Sequence, residues 1–256
     1  MEPAMNSARP AWRPAPWTLF LLMLAAPLLA EEAVPVATYN WPPYVERTLE
    51  DHGLAGAVAK EALRRSGLEA RFVDEGWSRA LAGVEAGEYA VLAGAWRSPE
   101  RERTLHFTRP FAENRIVFVK KRGGSFTFAA MEATRGQGLS LGVTADFAYS
   151  EALEAYRFEP VVTENFVIQN LLRLQNGSID VAVMDAAVLD YHVTTYLGQR
   201  GDGFEASERA LATYGLRLAV SAARPDGEAL AQRLDEALES MADDGTLDRL
   251  RARYVP

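Results

Sequence analysis

Apolar positions along this chain follow two alternating rhythms: short continuous runs, and longer stretches with one apolar face. Val34 to Thr38 is a β-rich run that ends in Tyr39-Asn40-Trp41-Pro42-Pro43-Tyr44, where two prolines stop regular structure and three aromatics crowd a loop. Gly53 to Ser66 follows, with Leu54, Val58, Ala62 and Leu63 on one helical face and Gly67 at its end. Ala70 to Val73 predicts a strand, Trp77 to Ala86 a helix with Leu81 and Val84 inward, and Tyr89 to Gly94 a third strand. Strands separated by helices in this order imply a parallel sheet.

The rhythm restarts after Ile116 to Lys120, a strand that ends in the polar break Lys121-Arg122-Gly123-Gly124-Ser125. Leu139 to Val143 predicts a strand, Asp146 opens a helix to Ala155, and Pro160 to Val162 is a brief strand. Asn165 is placed to cap a helix over Phe166, Ile168, Leu171, Leu172 and Leu174, closed by Asn176-Gly177. Ile179 to Met184 is a strand that delivers Asp185 to the start of a helix over Ala186 to Leu197. Gly198 to Ser207 is polar and loose, and Tyr214 to Val220 is the last strand. Two helices, Gly227 to Met241 and Thr246 to Tyr254, finish the chain. Two α/β halves of similar layout predict two lobes with a cleft between them, a favoured place for a small ligand.

Composition narrows the chemistry. A net charge of −8 with no basic stripe argues against a nucleic-acid partner. The absence of cysteine excludes disulfides, thiol catalysis and a cysteine-linked lipid anchor. His52, His106 and His192 share no spacing that makes a metal site, and no cofactor is expected. Gly-x-Ser-x-Gly, Gly-x-x-x-x-Gly-Lys and Gly-x-Gly-x-x-Gly are all absent. Residues 1–30 read as a signal peptide: Arg9 and Arg13 are its basic end, Trp17 to Leu29 its apolar stretch, and cleavage is expected near Ala30. That stretch falls short of the roughly 20 apolar residues of a membrane span. A freely diffusing, monomeric periplasmic protein is the expectation.

Candidate chemistry gathers after the third strand. Ser98-Pro99-Glu100-Arg101 carries a capping residue, a proline at a first helical position and an acid in the first turn. Arg101 thereby stands where open α/β sheets bind ligands, and its planar fork suits a carboxylate. From this stretch alone, a solvated turn decorated by Arg97, Arg101, Arg103 and Arg109 is an equal alternative.

Four motifs in order carry a resemblance: Trp-Pro-Pro-Tyr after the first strand, Ser-Pro-Glu-Arg-(x)5-Phe-Thr-(x)-Pro-Phe at 98 to 111, Ile-Asp-Val-Ala-Val-Met-Asp at 179 to 185, and Asp-Gly-Thr-Leu near the end. In these the chain resembles the family 3 extracellular solute-binding proteins, the amino-acid receptors of bacterial ABC importers. The resemblance implies an α/β, two-lobed, periplasmic-binding-protein-like fold of type II, each lobe a mainly parallel sheet flanked by helices, with two hinge crossings. Lobe one covers 31–111 and 214–256, and lobe two covers 115–211. Arg101 then falls on the residue that binds the ligand's α-carboxylate, and Asp185 on the one that binds its α-ammonium. Trp41 and Trp77 fall on aromatics beside the ligand side chain, with Tyr39 near them. Gly94 and Trp96 fall on positions offering backbone groups or a hydroxyl, and Phe147, Ala148 and Tyr149 on a helix start that supplies amides.

The sequence departs from that pattern at Trp96, where many relatives carry threonine or serine, and at Asp146-Phe147-Ala148-Tyr149, which replaces a glycine- and threonine-rich turn. Asp185 has a plainer alternative as the cap of the helix that starts at Ala186. The function implied is capture of a small zwitterion, an amino acid or derivative, for a membrane ABC permease, without catalysis. Two alternatives use the same scaffold. One is a ligand sensor without transport. The other is an enzyme resembling the cyclohexadienyl dehydratases, with Glu46, Asp146 or Tyr149 as its acid.

Overall fold

The computed structural model describes residues 33–145, 147, 150–198 and 203–255. The expected signal peptide, Asp146, Ala148 and Tyr149 lie outside the described residues. The first half runs β1 (Ala33–Thr38), α1 (Gly53–Arg65), β2 (Glu69–Asp74), α2 (Trp77–Glu85), β3 (Val91–Trp96) and β4 (Leu105–Phe107). β5 (Ala112–Lys121) leads into α3 (Phe128–Thr134), β6 (Leu141–Thr144), α4 (Ser150–Leu153), β7 (Val161–Glu164) and α5 (Val167–Asn176). Then come β8 (Val181–Asp185), α6 (Ala186–His192), β9 (Phe204–Ala206), β10 (Ala212–Ser221), α7 (Gly227–Asp243) and α8 (Thr246–Tyr254).

The strands join in the order β2-β1-β3-β10-β5-β8-β6-β7, with β4 on β10 and β9 on β5. β1 pairs in parallel with β2 and β3, and β6 does so with β7 and β8. Every residue of β3 and of β8 is buried, which explains their continuous apolar runs: parallel strands covered on both faces have no polar side. Two ten-residue strands, β5 and β10, run antiparallel through the middle, paired from Ala212 opposite Ile116 to Leu216 opposite Ala112. The chain passes between the two parallel groups on these strands.

Several local expectations shift. The helix expected to open at Ser98 is one 3-10 turn over Arg101–Arg103, because the chain must return at once to pair Leu105 with Ser221. α5 starts at Val167, one residue past Phe166, whose N–H donates to Gln169 Oε1 at 3.0 Å, so Asn165 is not its cap. Gly177 ends that helix in the left-handed region, at φ 76°. α3 sits between two stretches that read as a break and a strand, and Thr127 caps it by accepting from Ala130 N at 3.1 Å. Part of the loose stretch before β10 forms β9, against β5.

Candidate functional site

The loop after β1 reverses tightly. Trp41 N donates to Val45 O at 2.7 Å, and the Trp41 carbonyl accepts from Tyr44 and Val45 at 3.0 and 2.9 Å. The reversal folds Tyr44 back on Trp41, ring centroids 4.8 Å apart. Tyr39 leaves β1 with its hydroxyl donating to the Gly94 carbonyl at 2.7 Å, and burial pushes that phenol's pKa up. Gly94 sits inside β3 at φ 90°, a region that disfavours any side chain, and a Cβ there would meet Leu216 and Ala55 at 3.2 and 3.3 Å.

β3 ends at Trp96, and the turn beyond it brings Arg101 back. The Ser98 hydroxyl accepts from Arg101 N at 3.3 Å, and Arg101 Nη1 donates to the Trp96 carbonyl at 2.9 Å. The guanidinium lies over the Trp77 ring, 4.9 Å from its centroid, a cation on an aromatic face. Burial pushes its pKa below the ordinary arginine value, and the fields of Tyr39, Glu100 and Glu85 offset only part of that. No carboxylate among the described residues pairs with it. It stays a cation nonetheless.

Arg101, Tyr39, Trp41, Trp77, Trp96 and Phe147 line one cavity of about 470 Å3, with Glu75, Gly76, Ser78 and Arg79 around the start of α2, and Asn165 and Phe166 before α5. Trp41, Trp96 and Phe147 touch one another at centroid distances of 5.5 to 5.8 Å, each pair edge-to-face. Phe147 follows β6, Trp41 lies in the loop after β1 and Trp96 ends β3, so these rings bring segments of both halves together. Tyr39 and Trp77 meet edge-on at 4.8 Å.

Two of the expected residues that are described, Gly94 and Asp185, are not in that wall. Gly94 supports Tyr39 from behind. Asp185, expected on the ligand's ammonium, is 2% exposed and is not among the lining residues. Its Oδ1 accepts from Tyr44 Oη at 3.0 Å, Ala187 N at 2.9 Å and Val188 N at 3.0 Å, and its Oδ2 from Asn114 Nδ2 at 3.2 Å. Asn114 in turn accepts from Trp96 Nε1 at 2.8 Å, which fixes its amide orientation. Burial raises the Asp185 pKa against the pull of these donors. Asp185 thus caps α6 and also accepts from Tyr44 and Asn114, with three of the four donors on Oδ1 and one on Oδ2. Glu46 also lies away from the wall, accepting from Thr48 N and Oγ1 at 3.2 and 3.3 Å.

Sequence reasoning missed Glu75, Ser78 and Arg79, although they flank Trp77 and share its helix start. It missed Phe166 as a wall residue by placing it inside the apolar face of α5. It is 64% exposed, and an apolar ring so open at a cavity edge has no signature in a single sequence.

The model of the bacterial extracellular solute-binding proteins, family 3, matches residues 35–256. The chain belongs to that family. Among relatives of this solute-binding protein, ABC transporter arginine-binding protein 1 of Escherichia coli (strain K12) is 27% identical over 225 residues, 86% of this chain and 88% of that one. A mutant ArgBP from T. maritima superposes with a TM-score of 0.69 at 20% identity, over 87% of this chain and 94% of that one. A histidine kinase sensor domain with similarity to periplasmic binding proteins superposes at 0.73 and 22% identity, over 88% and 96% of the two chains. These neighbours establish the fold, the two-lobed type II arrangement. Among the described residues no helix is long and apolar enough to cross a membrane.

Proposed function

We propose that this family 3 protein is a non-catalytic periplasmic receptor that captures a small carboxylate of the amino-acid type and presents it to a membrane ABC importer. One observation carries the reading: Arg101 is a half-buried cation in the cavity wall with no carboxylate partner among the described residues. Such a group is costly to bury alone and gains most from an anion that arrives with the ligand. Family membership and the arginine-binding relative support the importer. Residues 31–111 with 214–256 form one lobe in this reading, and 115–211 the other. The paired strands β5 and β10 serve as the hinge, and residues 1–30 direct export. An enzyme of the dehydratase kind needs a poised acid in the cavity; of the acids nominated for it, Glu46 does not line the cavity, and Asp146 and Tyr149 lie outside the described residues.

A thermal-shift screen of amino acids and small organic acids should find stabilising ligands, since ligand at 100 times its dissociation constant adds about 2.7 kcal/mol. Arg101→Ala should then cost roughly 2 to 5 kcal/mol of affinity in calorimetry. Near-wild-type affinity in that variant would remove the carboxylate assignment, and conversion of the bound ligand, read by mass spectrometry, would replace the receptor by an enzyme.

A further inference from the structure

Among the described residues of the cavity wall, three polar rings are buried: Tyr39 at 7% exposure, Trp41 at 7% and Trp96 at 6%. The fold finds an acceptor for two of them. Tyr39 Oη donates to the Gly94 carbonyl at 2.7 Å, and Trp96 Nε1 to Asn114 Oδ1 at 2.8 Å. The third is different. Trp41 Nε1 is buried and has no hydrogen-bond partner among the described residues. A buried donor left unpaired is costly, and native folds seldom carry one without a reason.

The indole is held in place and cannot turn to seek an acceptor elsewhere. Its backbone is tied on both sides, the N–H donating to Val45 O and the carbonyl accepting from Tyr44 and Val45. The rings of Tyr44, Phe147 and Trp96 pack against it at centroid distances of 4.8, 5.5 and 5.8 Å. An aromatic face gives an N–H only a weak partner. What remains is the cavity that Trp41 helps to wall, about 470 Å3. An acceptor that arrives with the ligand pairs this donor in the complex, and a ligand without one leaves it unpaired. A site with a donor to satisfy rejects analogues that lack the acceptor far more strongly than an apolar pocket sorts hydrocarbons by size.

We infer that the Trp41 indole N–H is a hydrogen-bond donor to the bound ligand, and that the ligand body carries a second oxygen function: a hydroxyl, an amide carbonyl or a second carboxylate. Both oxygens of the first carboxylate match the guanidinium fork of Arg101, so the acceptor at Trp41 is a separate group. Amino acids with a purely hydrocarbon body are the disfavoured members of the class. Trp41 sets specificity by its nitrogen as well as by its ring. This rests on the reading of Arg101 as the carboxylate anchor, and it holds wherever the ligand's ammonium binds.

The test is calorimetry on the purified protein with near-isosteric partners: L-threonine with L-valine, L-asparagine with L-leucine, L-glutamine and L-glutamate with L-methionine, and L-tyrosine with L-phenylalanine. In at least one comparison the oxygen-bearing member should bind at least about tenfold more tightly. Replacing Trp41 by β-(3-benzothienyl)alanine keeps the fused ring and puts sulfur in place of the N–H. It should erase that preference while the hydrocarbon member binds as before, and Trp41→Phe should erase it at some cost to both. In isotope-labelled wild type the Trp41 indole proton, identified by its loss in Trp41→Phe, should move downfield with the oxygen-bearing member and not with its partner. Hydrocarbon members that bind as tightly as their partners throughout, or a preference untouched by the benzothienyl replacement, overturn the inference. Equal losses in both members would put the anchored carboxylate on Trp41 and overturn the second oxygen function. The wild-type ratios decide the matter even if a Trp41 variant does not fold. Arg101→Ala keeps the two readings apart: if it weakens binding by about thirtyfold or more while the Trp41 replacement changes nothing, the anchor stands and only the donor falls. Binding by none of these amino acids, or binding indifferent to Arg101→Ala, removes the anchor and this inference with it.

Discussion

At the scale of single residues, the chain from Trp96 through Asn114 and Asp185 to Tyr44 is where small changes should be felt. All four side chains are buried, and each polar group except the wall itself depends on a neighbour for its partner. Trp96→Phe keeps an aromatic ring in the wall but removes the donor to Asn114. It should cost about 1 to 3 kcal/mol of stability, the range for a buried acceptor left unpaired. A fall in the urea midpoint at unchanged m-value checks this, and no change in midpoint would mean the bond contributes nothing. Arg101→Lys is the complementary change at the cavity. It keeps a charge and loses the planar fork, so calorimetry should show affinity close to that of Arg101→Ala and far from wild type.

Secondary-structure elements divide into those that shape the cavity and those that only support the fold. β3 belongs to the first group, because Gly94 lets its backbone take a left-handed turn and offers a carbonyl to Tyr39. Gly94→Ala should cost about 1 to 3 kcal/mol through that backbone conformation alone. It should also weaken ligand binding, since Tyr39 and Trp77 move with the strand. α3 belongs to the second group. Thr127→Ala removes its cap and should cost about 1 kcal/mol in denaturant titration with no change in ligand affinity. Equal effects of the two variants on affinity would contradict this division.

On the scale of the whole molecule, the first half is closed by contacts between segments far apart in the chain. Arg65 on α1 bonds Glu61, and also Ser240, Asp244 and Thr246 near the α7–α8 turn, at 2.7 to 3.0 Å. Arg64 hydrogen bonds, with those of Arg65, hold the Glu61 carboxyl at about 2 against its burial. A carboxyl depressed on folding adds stability above its unfolded pKa, about 4.3, and loses it as pH falls through the folded value. Wild type should therefore melt above Glu61→Gln at pH 6 to 7. The gap should shrink below about pH 4.5 and vanish near pH 2. Its size at neutral pH should not exceed about 1 kcal/mol, because the partners are partly in solvent. A gap independent of pH would mean that Glu61 acts through packing and not through charge.

Much of this protein was legible in the sequence because the signals are local. The run Ile179 to Met184 and the face of Leu54, Val58, Ala62 and Leu63 report burial through spacing alone; the helix is found where the spacing puts it, and the strand begins two residues later, at Val181. The same holds for α8, over Thr246–Tyr254, and for the strand–helix alternation that implied parallel pairing. Three-residue strands such as β4 and β9 carry no such period, and only their partners β10 and β5 make them strands. Asp185 shows the limit most clearly. Its place before a helix allowed a cap as well as the ligand contact that the resemblance implied. Its further partners are Tyr44, 141 residues away, and Asn114, 71 residues away, which reach it only once the sheet has formed. Local periodicity decides what each segment becomes. Which polar groups meet in the interior, and which are left facing a cavity, is decided by contacts between distant segments that only the folded sheet brings together.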